Sequence, residues 1–211
     1  MKNLTLENIA RVCGGTYYGP ADKLQEEVMS VITDSRKAEE GCLFVPIVGE
    51  RVDAHKFIPQ VMEAGALATL SERVLDDADF PYIAVESSLQ AVKDIAEFYL
   101  KQLQIPVVGI TGSVGKTTTR EMISTVLASQ KKVFQTIGNQ NSQIGVPLTL
   151  SHLTREDEIA VLEIGMSERG QIEKLTNMIR PNVAVVTMIG VSHIAQLKTQ
   201  ENICLEKMDI V

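Results

Sequence analysis

The segment that most constrains the fold is residues 107–119, with the sequence VVGITGSVGKTTT. It begins with apolar residues typical of a buried strand, continues through a glycine-rich loop, and ends in residues typical of a helix start. A strand that leads into a helix through such a loop is the first part of a βαβ unit, and βαβ units build mainly parallel sheets. We therefore predict an α/β fold around this segment.

The loop of this segment also predicts a polyphosphate-binding site. Glycines let backbone N–H groups approach phosphate oxygens, and the helix N-terminus adds partial positive charge. Lys116 would neutralise the terminal phosphates, and the Thr117 hydroxyl is placed to bind Mg²⁺. The expected nucleotide contacts are Gly112, Ser113, Val114, Gly115, Lys116, Thr117 and Thr118.

One position departs from the standard Walker A pattern. Ile110 lies five residues before Gly115, where that pattern has glycine. The alternative interpretation is a glycine-rich turn whose lysine is only solvated. The position of Gly-Lys-Thr between a strand and a helix favours the phosphate site.

Bulk composition narrows the class of protein. Hydrophobic residues make up 45% of the 211 residues, and the net charge of −7 argues against a nucleic-acid partner. No apolar run reaches the roughly 20 residues of a transmembrane segment, and the N-terminus lacks the apolar core of a signal peptide. The three cysteines, Cys13, Cys42 and Cys204, form no Cys-x-x-Cys pair. Reduced thiols and a cytoplasmic enzyme are therefore expected.

Hydrophobic periodicity predicts two domains, 1–104 and 105–211. A helix from Ser87 or Ser88 through Leu103 is followed by the helix-breaking residues 104–106, where we place the boundary. In the second domain, 159–164 and 183–188 are continuous apolar runs of the kind found in buried parallel strands. The helical pattern that begins near Thr199 runs to the last residue, so we expect the chain to be a fragment or a natural truncation.

A glutamate at the end of one apolar run is a candidate metal ligand. Glu163 closes the run 159–164, where a carboxylate is costly unless it is paired or metal-bound. The carboxyl end of a parallel strand lies near the phosphate loop in such folds, which suits a Mg²⁺ ligand. A helix-capping or salt-bridging glutamate is the alternative.

Several motifs, in the same order along nearly the whole chain, resemble the Mur ligases, which build the peptide of bacterial cell-wall precursors. The motifs are TDSR at 33–36, GCLFV at 41–45, GERVDAHKF at 49–57, TGSVGKTT at 111–118, GNQNSQIGVPLTL at 138–150, VLEIGMS at 161–167 and GQI at 170–172. The Asn-rich segment is similar to that of the family member that adds D-alanyl-D-alanine. Ligases that add the third residue usually carry Thr-Thr-Pro there.

The resemblance implies a fold and an activity. It implies a small mixed α/β domain that binds a UDP-muramyl-peptide, followed by a truncated α/β domain that binds ATP on a phosphate loop. The implied reaction is the ATP-dependent ligation of D-alanyl-D-alanine to UDP-N-acetylmuramoyl-tripeptide, through an acyl phosphate, in peptidoglycan synthesis. ATP and Mg²⁺ are the implied cofactors, and both substrates are small molecules. The oligomeric state stays open.

Further site residues come from the same resemblance. In the family, a histidine matching His193 lies beside a second metal, and a lysine matching Lys207 is carbamylated by CO₂. Around His193 the chain departs from the family, since Ala195 replaces an acidic residue and 196–198 lack a glycine. The alternatives are a turn residue for His193 and a solvated lysine for Lys207.

The resemblance also implies residues that contact the substrates. Each of them has an alternative as an ordinary turn residue, and Ala54 stands where related ligases often have glycine. His55 is expected to be structural or to contact the sugar, not to act as a base. The implied substrate contacts are Ser35, Arg36, Arg51, Asp53, His55, Asn139 and Asn141.

The family's ligases continue well beyond this length, so we expect the 211-residue chain to have little or no ligase turnover alone. Three alternatives remain open at this point: a sister ligase that adds a single amino acid, a generic P-loop kinase or GTPase, and a module that binds the UDP precursor without using ATP. The first hundred residues argue against the generic kinase.

Overall fold

A computed structural model describes residues 1–49, 52–76 and 78–211 of the chain. The chain divides into two compact units, Met1–Tyr99 and Leu100–Val211. Each unit contains a sheet in which most neighbouring strands are parallel, with helices between the strands. The predicted α/β fold is confirmed. None of the helices in the described part of the chain combines the length and apolar character that crossing a membrane requires.

The first unit is built on a five-stranded sheet. Its strands are, in spatial order, β1 (Thr16–Tyr18), β5 (Tyr82–Ala84), β4 (Ala68–Ser71), β3 (Leu43–Phe44) and β2 (Val31–Ile32). Only the pairing of β1 with β5 is antiparallel. The helices are α1 (Leu6–Val12), α2 (Ile58–Glu63) and most of α3 (Ser88–Leu103), whose last four residues belong to the second unit. There are 3₁₀ turns at Ala21–Gln25, Ser35–Lys37 and Ala54–Phe57.

Aspartate side chains cap two of the 3₁₀ turns in the first unit. Asp34 accepts the N–H of Arg36 at 3.0 Å and so begins a 3₁₀ turn two residues after β2. In the same way Asp53 accepts the N–H of His55 at 2.9 Å. One cluster of the core consists of buried apolar side chains, of which Phe44 is the largest: Ile32, Cys42, Phe44, Ile58, Val61 and Ala66.

The second unit is built on a four-stranded parallel sheet. Its strands are, in spatial order, β7 (Val133–Gln135), β8 (Ile159–Glu163), β6 (Val107–Thr111) and β9 (Val183–Val186). The helices are α4 (Lys116–Leu127), α5 (Gly145–Leu150), α6 (Gln171–Ile179), α7 (Ile194–Leu197) and α8 (Gln200–Met208). Because all four strands run the same way, the loops after them meet at one edge of the sheet.

Two sequence predictions for the second unit are wrong in detail. The run 183–188 forms a strand only at Val183–Val186, which lies at the edge of the four-stranded sheet, and Val183 is 53% exposed where a buried strand was predicted. The helix predicted from Thr199 to the last residue ends at Met208. The short helices α5 and α7 were not predicted, because six and four residues show too little periodicity.

A buried carboxylate joins two helices of this unit. Glu206 of α8 is 2% exposed and accepts three backbone N–H groups at the start of α6. They are those of Gly170 at 2.7 Å, Gln171 at 2.9 Å and Ile172 at 3.0 Å. The first N–H groups of a helix have no acceptor within the helix, so a carboxylate placed there accepts them. Its negative charge also interacts favourably with the positive end of the helix dipole.

We predict that Glu206→Ala lowers the free energy of unfolding by about 2–4 kcal/mol, because it leaves buried N–H groups without an acceptor. Glu206→Gln keeps one acceptor and should lose less. Urea unfolding followed by circular dichroism measures both. Glu201→Ala, on the exposed face of the same helix, is the control and should change stability by no more than about 0.5 kcal/mol. Equal effects at positions 201 and 206 would contradict the capping role.

Candidate functional site

The second unit contains a cavity of about 230 Å³ at the carboxyl edge of its sheet. Four of the predicted catalytic or binding residues, from separate segments, line it, namely Lys116, Asn141, His193 and Lys207. Asn141 and the start of α6 at Gln171 complete much of the wall. The cavity therefore has a lining rich in nitrogen, with two lysines and an imidazole.

The phosphate loop, residues 112–115, has the geometry that its glycines permit. Gly112 has φ of +148° and Gly115 has φ of +88°, values that side chains rarely allow. Gly115 directly precedes α4, so the first N–H groups of that helix face the loop. Lys116 donates from Nζ to the carbonyl oxygen of Gly112 at 2.8 Å. This arrangement offers N–H donors and an ammonium group to an anion.

Not every predicted contact of the loop is free. The Ser113 hydroxyl accepts the N–H of Gly190 at 3.0 Å, so it supports the loop from within the protein. Thr118 and the side chain of Val114 are exposed. The Ser113 hydroxyl is thus partly used within the protein, whereas the Thr118 hydroxyl is accessible and Val114, whose side chain is apolar, can offer an anion only its backbone.

Glu163 lies at the end of β8 and is 1% exposed. The Thr117 hydroxyl donates to its Oε2 at 3.3 Å, and the Asn141 amide approaches the same oxygen at 3.5 Å. Its other oxygen, Oε1, lies 3.0 Å from Nη1 of Arg120. Glu163 is therefore salt-bridged, in agreement with the alternative interpretation. It also lies next to Thr117, the other predicted Mg²⁺ ligand, so its position is compatible with metal binding as well.

Arg120 is a functional neighbour that sequence reasoning missed. It is buried on α4, and its Nη1 donates to the carbonyl oxygens of Thr136 at 2.9 Å and Gly138 at 3.3 Å. Its Nη2 pairs with Glu121. The signal was present, since Arg120 lies three residues before Ile123 and seven before Leu127, on the face that packs on the sheet.

Lys207 is buried, with 2% of its surface exposed, near the end of α8. The solvated alternative is therefore wrong for this residue. Burial, and to a lesser degree the positive charge of Lys116, lower the pKa of its amine to about 8, although the nearby Glu206 carboxylate acts in the opposite direction. A substantial part of the amine is thus neutral slightly above neutral pH.

His193 and Asn139 differ in their relation to this cavity. His193 precedes α7 in a left-handed backbone conformation, with φ of +67°, and its side chain lines the cavity. Asn139 is exposed and does not line it. Within residues 1–49, 52–76 and 78–211, no three His, Cys, Asp or Glu side chains gather as a metal-binding cluster. A divalent ion would have to draw further oxygens from Thr117 and from its phosphate ligand.

In the first unit, the predicted residues Ser35 and Arg36 form an exposed 3₁₀ turn after β2. The Arg36 guanidinium holds Asp34 with two nitrogens, Nε at 2.9 Å and Nη2 at 2.7 Å, and its side chain is 86% exposed. Hydrogen bonds from this guanidinium, and then from the Arg36 backbone N–H, lower the pKa of Asp34 to about 2. Arg36 is therefore accessible to an anion in solution.

His55 has both ring nitrogens engaged and is 6% exposed. Its Nδ1 lies 2.6 Å from Asp53 Oδ1, and its Nε2 accepts the N–H of Glu72 at 3.1 Å. An Nε2 that accepts cannot carry a proton, so Nδ1 carries it and the ring is neutral. Asp53 also pairs with Arg73 at 2.9 Å. His55 thus holds its turn to the end of β4, while Arg51 lies outside the described residues.

A second cavity, of about 390 Å³, lies beside this turn. Its walls are apolar side chains of α2 and of the segment after β4, such as Ile58, Leu75 and Phe80. The charged residues of its lining are two basic ones, Lys56 and Arg73, and one acidic one, Asp76. Its size and lining suit part of a small anionic ligand with an apolar or aromatic portion.

Comparison with known proteins identifies the family. Residues 110–211 match the model of the Mur ligase middle domain. UDP-N-acetylmuramoyl-tripeptide--D-alanyl-D-alanine ligase of Bacillus subtilis is 42% identical over 209 residues, which are 98% of this chain and 46% of that protein. The ligase of the same name from Escherichia coli is 37% identical over 194 residues, 92% of this chain and 42% of that protein.

Solved structures agree with these sequence matches. A crystal structure of MurF from Acinetobacter baumannii superposes with a TM-score of 0.91 at 33% identity, covering 98% of this chain and 45% of that one. MurF ligase from Thermotoga maritima, solved in complex with ADP, gives 0.81 at 37% identity, covering 86% and 42%. The chain spans about half the length of the relatives that it matches. On the match of its fold, its middle-domain sequence and its relatives, the chain belongs to the Mur ligase family.

Proposed function

We propose that this chain carries the precursor-binding and ATP-binding parts of a ligase that joins D-alanyl-D-alanine to UDP-N-acetylmuramoyl-tripeptide in peptidoglycan synthesis. The observation that carries the proposal is the convergence of the phosphate loop, Glu163 and Lys207 on one sheet edge. It occurs in a chain that resembles ligases of that name along almost its whole length. We assign residues 1–104 to the precursor and 105–211 to ATP.

The phosphate loop and Lys116 would hold the β- and γ-phosphates of ATP. The loop supplies backbone N–H donors. The Lys116 ammonium group, which donates to the Gly112 carbonyl oxygen in this structure, would donate to a phosphate oxygen instead. The chemistry that ATP supplies is a phosphoryl group that converts the precursor's carboxylate into an acyl phosphate, from which the dipeptide amine displaces phosphate. The protein's part is to position the reactants and to neutralise charge.

Thr117 and Glu163 would hold Mg²⁺. A hydroxyl and a carboxylate are the hard oxygen donors that this ion prefers, and the 3.3 Å between Thr117 Oγ1 and Glu163 Oε2 places both on one side of the loop. We assign His193 to a second metal position, supported by its place in the cavity wall. Mg²⁺ would neutralise part of the phosphate charge.

Lys207 is proposed to be carbamylated. Only a neutral amine adds CO₂, and burial together with Lys116 favours the neutral form of this amine. The resulting carbamate is an anion, which would reverse the repulsion between the two lysines. It would also offer oxygens to a cation in the cavity.

The first unit would bind the uridine nucleotide end of the precursor. Arg36 is exposed, and because its Nε and Nη2 already bond Asp34, its Nη1 and the second N–H of Nη2 are the donors left for a pyrophosphate, with Ser35 beside it as a further donor. Arg51 and Asp53 are proposed neighbours, and the 390 Å³ cavity beside Asp53 offers an apolar wall. We propose a cytoplasmic location, which the three free cysteines support.

We predict that Lys116→Ala weakens binding of Mg-ADP by about tenfold to a hundredfold, because it removes a charged donor to a phosphate. Titration calorimetry on the 211-residue chain measures this affinity. Lys131→Ala is the control, since Lys131 pairs with Glu158 on the surface at 3.1 Å and should not affect the affinity. A chain that binds UDP-N-acetylmuramoyl-tripeptide but not Mg-ADP would favour the precursor-binding module over the ligase.

We predict that the unmodified Lys207 amine, in buffer freed of CO₂ and bicarbonate, titrates near pH 8 when its ¹³Cε signal is followed by NMR, against about 10.4 for an unperturbed lysine. Below pH 8 it is charged, and above it is neutral. Lys116→Met should raise the titration midpoint, because it removes a neighbouring positive charge. A midpoint that stays unchanged in Lys116→Met would show that the two amines do not interact.

We predict that Arg36→Ala weakens binding of UDP-N-acetylmuramoyl-tripeptide by about tenfold, because one bidentate contact to the pyrophosphate is lost. Arg36→Lys should restore only part of it, since an ammonium lacks the two-pronged geometry. Neither change should alter the melting temperature, as Arg36 is exposed. Lys37→Ala is the adjacent control. Equal affinities of Arg36→Ala and the unmodified chain would remove Arg36 from the site.

A further inference from the structure

Residues 187–192, which follow β9, hold the phosphate loop in place. The N–H of Ser113 donates to the carbonyl oxygen of Met188 at 2.8 Å, and the Ser113 hydroxyl accepts the N–H of Gly190 at 3.0 Å. The Ser192 hydroxyl approaches the carbonyl oxygen of Ser113 at 3.5 Å. The loop is thus fixed from the side of β9.

Thr187 makes the shortest of these contacts. Its hydroxyl lies 2.6 Å from the carbonyl oxygen of Val114 and 3.3 Å from that of Thr111. A hydroxyl has one hydrogen, so the shorter contact takes it. Its backbone N–H donates to the same Thr111 oxygen at 3.0 Å and fixes the residue at the end of the sheet.

The contact to Val114 determines where the next N–H points. A peptide unit is planar and trans, so its C=O and the following N–H point in opposite directions. Because the Val114 carbonyl points to Thr187, the N–H of Gly115 points away from it. In the described part of the chain this N–H has no protein acceptor. It is therefore free to donate to an anion in front of the loop.

A second observation connects Thr187 with the loop. A Cβ built on Gly112 would lie 1.9 Å from Thr187 Oγ1, far inside contact distance. The hydroxyl therefore occupies the space that a side chain at position 112 would need. Glycine is therefore needed at position 112 for two reasons. It leaves room for the Thr187 hydroxyl, and it can adopt a φ of +148°.

We propose that Thr187 is a positioning residue for nucleotide binding, which fixes the Val114 peptide so that the Gly115 N–H faces a phosphate oxygen. The inference rests on the proposed ATP site and goes beyond it, because Thr187 acts through the loop. No motif in the sequence distinguishes this threonine, and its role follows only from the contact made after folding.

The test is the affinity for Mg-ADP of the 211-residue chain, measured by titration calorimetry. Thr187→Val keeps the shape and removes the hydroxyl, and it should raise the Kd about tenfold. Thr187→Ser keeps the hydroxyl and should stay within about threefold of the unmodified chain. Rescue by serine is not expected if the residue only fills space.

Thr176→Val is the matched control, because the Thr176 hydroxyl is buried on α6 with no hydrogen-bond partner among the described residues. It should leave the Kd unchanged. If Thr187→Val fails to unfold cooperatively, Thr187→Ala removes the same hydroxyl with less bulk and carries the comparison. Mg-ADP binding equal to that of the unmodified chain in a folded hydroxyl-free variant overturns the inference. Failure of the unmodified chain to bind Mg-ADP would instead contradict the proposed function.

Discussion

The parallel pairing of β6 with both β8 and β9 is the constraint on which the second unit depends. Ile110 is aligned with Glu163 on one side and with Val185 on the other. All these strands therefore end at the same edge, and their loops are forced together there. The phosphate loop, the glutamate and the segment that holds the loop come from distant parts of the sequence. They become neighbours because of the strand register.

Buried charged side chains at that edge of the sheet either have a partner within the protein or line the cavity. Glu163 would be costly alone, and Arg120 at 3.0 Å balances one of its oxygens while the other faces Thr117. On α8, Glu206 is satisfied by three N–H groups, whereas the next residue, Lys207, faces the cavity. Glu206 thus connects α8 to the start of α6, and its neighbour Lys207 places an amine of lowered pKa in the cavity.

The first unit uses side chains differently. His55 is neutral and holds a turn, with both nitrogens engaged, while Arg36 keeps an exposed guanidinium on a turn fixed by Asp34. In both turns an aspartate stands two residues before the residue in question, Asp34 before Arg36 and Asp53 before His55. The same local pattern therefore gives an accessible residue in one turn and a structural residue in the other. Spacing cannot separate these roles, because they depend on which backbone groups come near after folding.

The sequence by itself determined the α/β class, the strand–loop–helix around Lys116, and the candidate role of Glu163, because these follow from local periodicity, glycine positions and a carboxylate in an apolar run. The candidate role of Lys207 came only from the resemblance to the Mur ligases. Only the tertiary structure decided that Val183 lies at an exposed edge, that Lys207 is buried, and that Arg120 and Thr187 contact the site. Each of those facts depends on contacts between segments far apart in the chain. The local sequence pattern does not predict such contacts, because strand order and register determine which side chains are buried and which groups become hydrogen-bond partners.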